Sequence, residues 1–383
     1  MRHMKRILSF ASIVFLSIFT LSAQTDLSYK EWSENSLTVE DFVKRRSSGE
    51  LIGQVYTAIQ TYPSEWEKVS WNLRVKRLES KTLFDPIRSW VSTDTLTDQA
   101  VRYGQLLFDA TELTRRQMHN YLTQGTYKPN YNAVVRRYYD LNEARTDEIE
   151  RVTENGQNLA ELQQQESIIA QELAALPETP DAIPEYTLRK FVIGAYIGAV
   201  SQFYAGEYSS YFTPSYGFQA GFTVGIGRFG VHMDGWGGGG SSLLKDIPGE
   251  KIDTWYHGDR LTTGEVSFQF SFDVYDGDIF KVSPFVGVGA GYLDYKNPDT
   301  TSEVDMDEQG GLRLMAGLSF DLKYLRSLYL VGDPVWSSMY GGINEHSLRL
   351  KVYVTHTSYP HAISPYSINC SLSVNFLSKF MKP

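Results

Sequence analysis

The chain of 383 residues has a single cysteine, Cys370, so no internal disulfide framework can hold it together. Beyond its first two dozen residues it has no apolar run of about 20 residues, so no later helix is expected to span a bilayer. It lacks any block of clustered lysine and arginine. With 36 basic against 45 acidic residues the formal charge is −9, and nucleic acid is not an expected partner because nothing supplies a row of phosphate contacts. No serine sits in a G-x-S-x-G elbow, and His232, His257, His346, His356 and His361 have no metal-ligand spacing.

The N-terminus is different. MRHMKR is basic, ILSFASIVFLSIFTL is an apolar stretch of signal-peptide length, and LSAQT places the small Ala23 at a cleavage position. These features predict a secretory signal peptide over 1–23. A mature chain that crosses a membrane would have to do so with strands.

Three regions follow. Residues 24–130 have a mixed pattern containing a helix near TDQAVRYGQLLFDATELTRRQMHNYL, in which Val101, Leu106, Leu107, Ala110, Leu113 and Met118 share a face and Arg115 and Arg116 lie on the other side. Residues 131–176 are polar and helix-favouring, with a narrow apolar seam of Ile149, Val152, Leu159, Leu162, Ile169, Leu173 and Leu176, and a break at Asn155-Gly156 would make a hairpin of one long helix. Pro177, Pro180 and Pro184 mark 177–185 as a linker.

From 186 to 380 the period changes from helical to two. In GEVSFQFSFDVYDGD, Val266, Phe268, Phe270, Phe272 and Val274 alternate with Ser267, Gln269, Ser271 and Asp273, and similar alternation recurs in eight segments. Many reach the 9 to 11 or so residues that a tilted membrane-spanning strand needs. The polar face is mostly Gly, Ser, Asn and Gln, which suits the crowded interior of an eight-stranded barrel better than a water-facing sheet. On that face Asp273, Arg313, Asp321, Arg349 and Lys351 are expected to form a charge network in the lumen. Short turns at Gly227-Arg228 and Asp276-Gly277 alternate with long connections, as in outer-membrane barrels. The stretch from Lys323 to Glu345 departs from that rhythm and reads as an extended strand plus an inner turn. Trp236, Tyr275, Tyr292, Tyr295, Tyr353 and Tyr366 are placed for interface girdles, and the GGGG run after Trp236 is expected in a surface loop. GIGRFG at 225–230 has the spacing of a nucleotide cradle, but it joins two strands and opens no helix. By this alternation and loop rhythm the C-terminal half resembles the small outer-membrane β-barrels of Gram-negative bacteria.

The stretch RYGQLLFDATELTRRQ resembles a secreted zincin-like domain of Gram-negative bacteria whose helix carries HExxHFD. That resemblance implies a metal held by two histidines four apart, with a glutamate as general base. Here those positions are Tyr103, Leu107 and Gly104, while Gln105, Phe108, Asp109, Glu112 and Leu113 keep the surroundings. None of the three can do the chemistry, so the resemblance implies a catalytically dead copy. The alternative is an ordinary amphipathic helix with Asp109 and Glu112 solvated.

The expectation is therefore an α+β N-terminal region with a long helix, followed by an antiparallel eight-stranded transmembrane β-barrel. The expected role is that of a non-enzymatic outer-membrane anchor or scaffold without cofactor, holding a helical module in the periplasm. Its expected partner is outer-membrane lipid, and the apolar seam of the 149–176 helix is left to pack either on itself or on a periplasmic or outer-membrane protein. The rivals are a membrane-tethered zinc hydrolase and a narrow transporter or small-ligand binder in the lumen.

Overall fold

A computed structural model describes residues 29–33, 35–45, 51–93, 97–128, 130–177, 182–248, 254–296, 306–331, 341–359 and 366–382. The segment read as a signal peptide lies outside them, as do Pro180 and His361. The chain forms two compact units that do not follow chain order: described residues of 1–61, 80–121 and 134–180 make the first, and 62–79, 122–133 and 181–383 the second. The linear boundaries drawn at 130 and 177 differ from this because two N-terminal stretches pack with the C-terminal strands.

In the first unit, helix α1 (Thr97–Thr123) is followed by α2 (Tyr131–Val152) and α3 (Leu159–Ala175). The break falls at 153–158, where Glu154 and Asn155 take φ of 54° and 56° and Asn158 caps α3 by accepting from the Glu161 amide. α1 is apolar on two sides, not one. Its Ala100 and Phe108 pack with Leu37, Phe42, Ile52, Phe84 and Val91, while Tyr103, Leu106, Leu107, Ala110 and Leu113 pack with Ile149, Leu162 and Ile169. The 149–176 seam is thus filled by the chain's own helix. Of the two options the sequence leaves open for this seam, packing within the chain is the one seen for Ile149, Leu162 and Ile169, while Leu159 stays exposed.

The second unit is built from eight strands: β1 (Leu188–Ala205), β2 (Ser215–Ile226), β3 (Phe229–Ser242), β4 (Arg260–Phe272), β5 (Phe280–Lys296), β6 (Met306–Tyr329), β7 (Gly342–Ser358) and β8 (Tyr366–Met381). Each pairs antiparallel with the next, and β8 pairs antiparallel with β1, closing the ring. Period two sorts the side chains. Phe222, Met233, Phe268, Val288 and Leu314 form one cross-strand row and are 67%, 50%, 51%, 42% and 52% exposed, while Ser267, Gln269, Arg313, Asp321, Arg349 and Lys351 point inward and are buried.

Several sequence readings change here. The GGGG run is part of β3, where Gly237, Gly238 and Gly239 pair with Phe218, Gly217 and Tyr216. A Cβ on Gly238 would collide with the Tyr216 carbonyl oxygen, so close strand approach, not loop flexibility, demands glycine. Trp236, Tyr295 and Tyr353, placed in the girdles from sequence, are buried, whereas Tyr275 and Tyr366 are exposed. Aromatic type does not reveal which face a residue is on, and strand parity puts Trp236 with the inward His232 and Asp234. β6 does extend beyond Lys323, to Tyr329, and the turn that follows lies outside the described residues.

Candidate functional site: a charged lumen and a buried acid on α1

The five predicted lumen residues all lie inside the ring, but only one pair of them meets. Arg349 donates from Nε and Nη2 to the two Asp321 carboxylate oxygens at 2.7 and 2.9 Å, across directly paired strands. The others find partners that the sequence reading missed. Lys351 Nζ donates to Asp234 at 2.7 Å, to Tyr196 at 3.0 Å and to Gln269 at 3.0 Å. Arg313 Nε lies 3.1 Å from Glu265, and Asp273 is 2.8 Å from Lys281. Glu265 was recoverable from sequence, because it shares the parity of Ser267 and Gln269. That Asp234 of β3 reaches Lys351 of β7 across the ring was not, because period two gives the face but not the opposite wall.

Apolar clusters lie toward both ends of this polar interior. On the long-loop side, Tyr204, Phe212, Leu243, Ile247, Trp255, Leu261, Leu293, Tyr295 and Tyr359 form a buried core, with Trp255 stacked on Tyr295 at 5.2 Å. On the short-turn side, Tyr127 and Val75 join Leu328, Ile343 and Met381. The Tyr127 hydroxyl accepts from the Gly341 amide, so the N-terminal stretches help cover that end. Between β1, β3 and the β4–β5 turn a cavity of about 250 Å³ remains open, lined by Lys190, His232, Asp273, Lys281 and Lys379 among others.

No protein-family model matches the sequence, and neither does any curated protein. Among solved structures the chain is similar to the attachment invasion locus protein Ail of Yersinia pestis (10% identity, TM-score 0.29, covering 49% of this chain and 99% of that one). It is similar to the N-terminal β-barrel domain of OprF from Pseudomonas aeruginosa (11%, TM-score 0.26, 49% and 99%). It is also similar to Neisserial surface protein A (9%, TM-score 0.29, 50% and 97%). At such scores the likeness carries no weight beside the chain's own strand pairing and exposure.

In the first unit, the positions aligned with a zinc-protease helix are packing positions. Tyr103 and Leu107 are buried in the helical core, and a Cβ on Gly104 would fall 2.7 Å from the Phe42 ring. Among the described residues no three His, Cys, Asp or Glu side chains cluster as a metal site. The polar residues one turn further on are not solvated, as the amphipathic alternative supposed. Glu112 is buried and accepts from Thr82 Oγ1 at 2.9 Å, Arg115 Nε and Nη2 at 2.8 Å each, and Arg116 Nε at 2.8 Å. Half-buried Asp109 accepts from Trp32 Nε1 at 2.8 Å and Gln105 Nε2 at 2.7 Å.

These two acids titrate in opposite directions. Burial pushes both up, and for Asp109 it prevails over the Trp32 and Gln105 hydrogen bonds. For Glu112 burial is outweighed by Arg115, Arg116 and Thr82, which hold the carboxyl below the usual glutamate range. A depressed folded-state pKa means that the Glu112 contribution is present above the unfolded value of about 4.3 and is lost as pH falls through the folded value. Asp109 works the other way, with its contribution present at low pH and lost on its ionisation. Glu112→Gln should therefore cost about 1.5–3 kcal/mol at neutral pH, and the cost should shrink as pH falls through the folded-state pKa of Glu112. Thermal unfolding of the full chain and the variant across an acid pH series measures this, and a difference that stays constant down to acid unfolding would contradict the assignment.

Proposed function

We propose that this chain is a non-enzymatic outer-membrane protein: the eight-stranded ring sits in lipid and anchors the N-terminal unit on the periplasmic side, with a scaffolding role. One observation carries the reading, namely that the ring is inside out relative to a soluble fold. Bulky apolar side chains face outward on the strands while ion pairs fill the interior. An apolar residue such as Phe, Leu or Val left in water forgoes about 1.5–3 kcal/mol of burial, and a continuous belt of them far exceeds the apolar patches that water-soluble monomers tolerate. Acyl chains remove that cost. The start of β1, the end of β8 and the short turns share one rim of the ring, which supports placing the N-terminal unit on the periplasmic side, where such barrels carry their short turns. The packing roles of Tyr103, Gly104 and Leu107 support a unit without hydrolytic chemistry.

The full chain should fractionate with outer membranes, resist alkaline carbonate extraction and remain monodisperse only with detergent present. Purification as a stable monomer in plain buffer would remove the basis of the proposal.

A further inference from the structure

A short β-hairpin from the N-terminal region, Glu67–Lys68 paired with Leu73–Lys76, continues the wall of the ring. Beyond Leu322, opposite which β5 begins, the edge of β6 is taken over by residues 73–76, which pair parallel with Arg326, Ser327, Leu328 and Tyr329. The hairpin is fixed in place: Asn72 Nδ2 donates to the carbonyls of Asp278 at 2.9 Å and Lys323 at 3.1 Å, and Val75 is fully buried beside Leu328. Because side chains alternate, Val75 inward puts Arg74 and Lys76 outward. Lys68 pairs with Arg74 and shares its face, and Lys76 Nζ lies 5.7 Å from the centroid of the Trp66 ring.

We propose that this outward face, Trp66, Lys68, Arg74 and Lys76, together with Trp71 at the hairpin turn, binds the anionic headgroups of the bilayer leaflet on the short-turn side. The inference rests on the membrane reading above. Trp66 and Trp71 are 44% and 58% exposed, and Trp is the side chain that settles at the boundary of hydrocarbon and water. The three cations supply charge opposite to phosphate. Position agrees with chemistry. Along β6, Tyr324 is the last large exposed side chain of the outward face, and Ser327, the partner of Arg74, lies three residues on. At about 3.3 Å per residue and a strand tilt near 40°, that is roughly 7–8 Å further along the membrane normal, comparable with a headgroup layer of about 5–7 Å.

The test uses the full chain in vesicles of phosphatidylcholine and phosphatidylglycerol. Tryptophan emission is read with phospholipids brominated either near the headgroup or deep in the acyl chain. Shallow bromine should quench the wild type, and the Trp66→Phe/Trp71→Phe variant should lose that component several-fold. In the same variant background, Phe268→Trp should be quenched by deep bromine. Lipid retained on the detergent-extracted protein, weighed by native mass spectrometry, should show phosphatidylglycerol enrichment that falls several-fold in Lys68→Glu/Arg74→Glu/Lys76→Glu. If Phe268→Trp is quenched while removal of the two tryptophans changes nothing, the hairpin faces water or protein and the inference fails with the membrane barrel intact. If the triple variant keeps its enrichment, the anionic headgroup is the wrong ligand. If Phe268→Trp is not quenched, the barrel reading falls and this inference with it.

Discussion

Asp321→Ala is expected to destabilise the ring by about 3–5 kcal/mol, because it leaves the buried Arg349 guanidinium without its carboxylate. Both partners are only 1% exposed, so water does not readily replace the lost oxygens. The pair as a whole is a different matter. Removing two charges from water costs nearly what their attraction returns, so an Asp321→Leu/Arg349→Met double variant should recover most of the loss. Urea unfolding in lipid vesicles, followed by gel-shift of the folded form, reads both. Should Asp321→Ala unfold at the wild-type midpoint, the two groups are not the closed buried pair described above.

The second large effect concerns the other face. Phe268→Lys puts a charge where we place the hydrocarbon, and a lysine near the middle of a membrane-spanning strand costs about 2–4 kcal/mol. In a water-exposed sheet the same change would be neutral or would improve solubility. The sign of the effect therefore separates lipid from water as the medium around the ring. Glu265→Lys, on the inward face of the same strand, would be costly in either medium and so serves as the control. A Phe268→Lys variant that folds and inserts as readily as the parent would argue against lipid at that face.

How far the sequence could be read follows from what each periodicity encodes. The eight strands and the face of most strand residues were legible because parity is local: Phe268 out and Gln269 in follows from five residues of text, whereas Trp236, Tyr295 and Tyr353 were misplaced because they were assigned by aromatic type instead of by parity. The helical hairpin was legible for the same reason, through its seam and the Asn155-Gly156 break. Partnership across the lumen was not, since Lys351 and Asp234 are joined by the curvature of the whole ring. Nor could burial of Glu112 be seen, because a TELTRR run has the composition of a solvated helix face. It is buried by Thr82 and by packing on both sides of α1. Least visible were residues 62–79 and 122–133, which contribute to the second unit without any change of composition.

That last feature bears on how the chain comes to be assembled. Residues 73–76 pair with 326–329, about 250 positions downstream, and closing so long a loop is among the slower events available to a polypeptide. A chain delivered N-terminus first presents this stretch early, and it must wait unpaired until the sixth strand exists. Meanwhile the apolar surface of Leu328, Ile343 and Met381 has no cover from Val75 or Tyr127. Biogenesis should thus end with the seam being stitched shut from the N-terminal side, and a shortened gene product beginning near Tyr186 would reach the bilayer with that surface bare and prone to self-association.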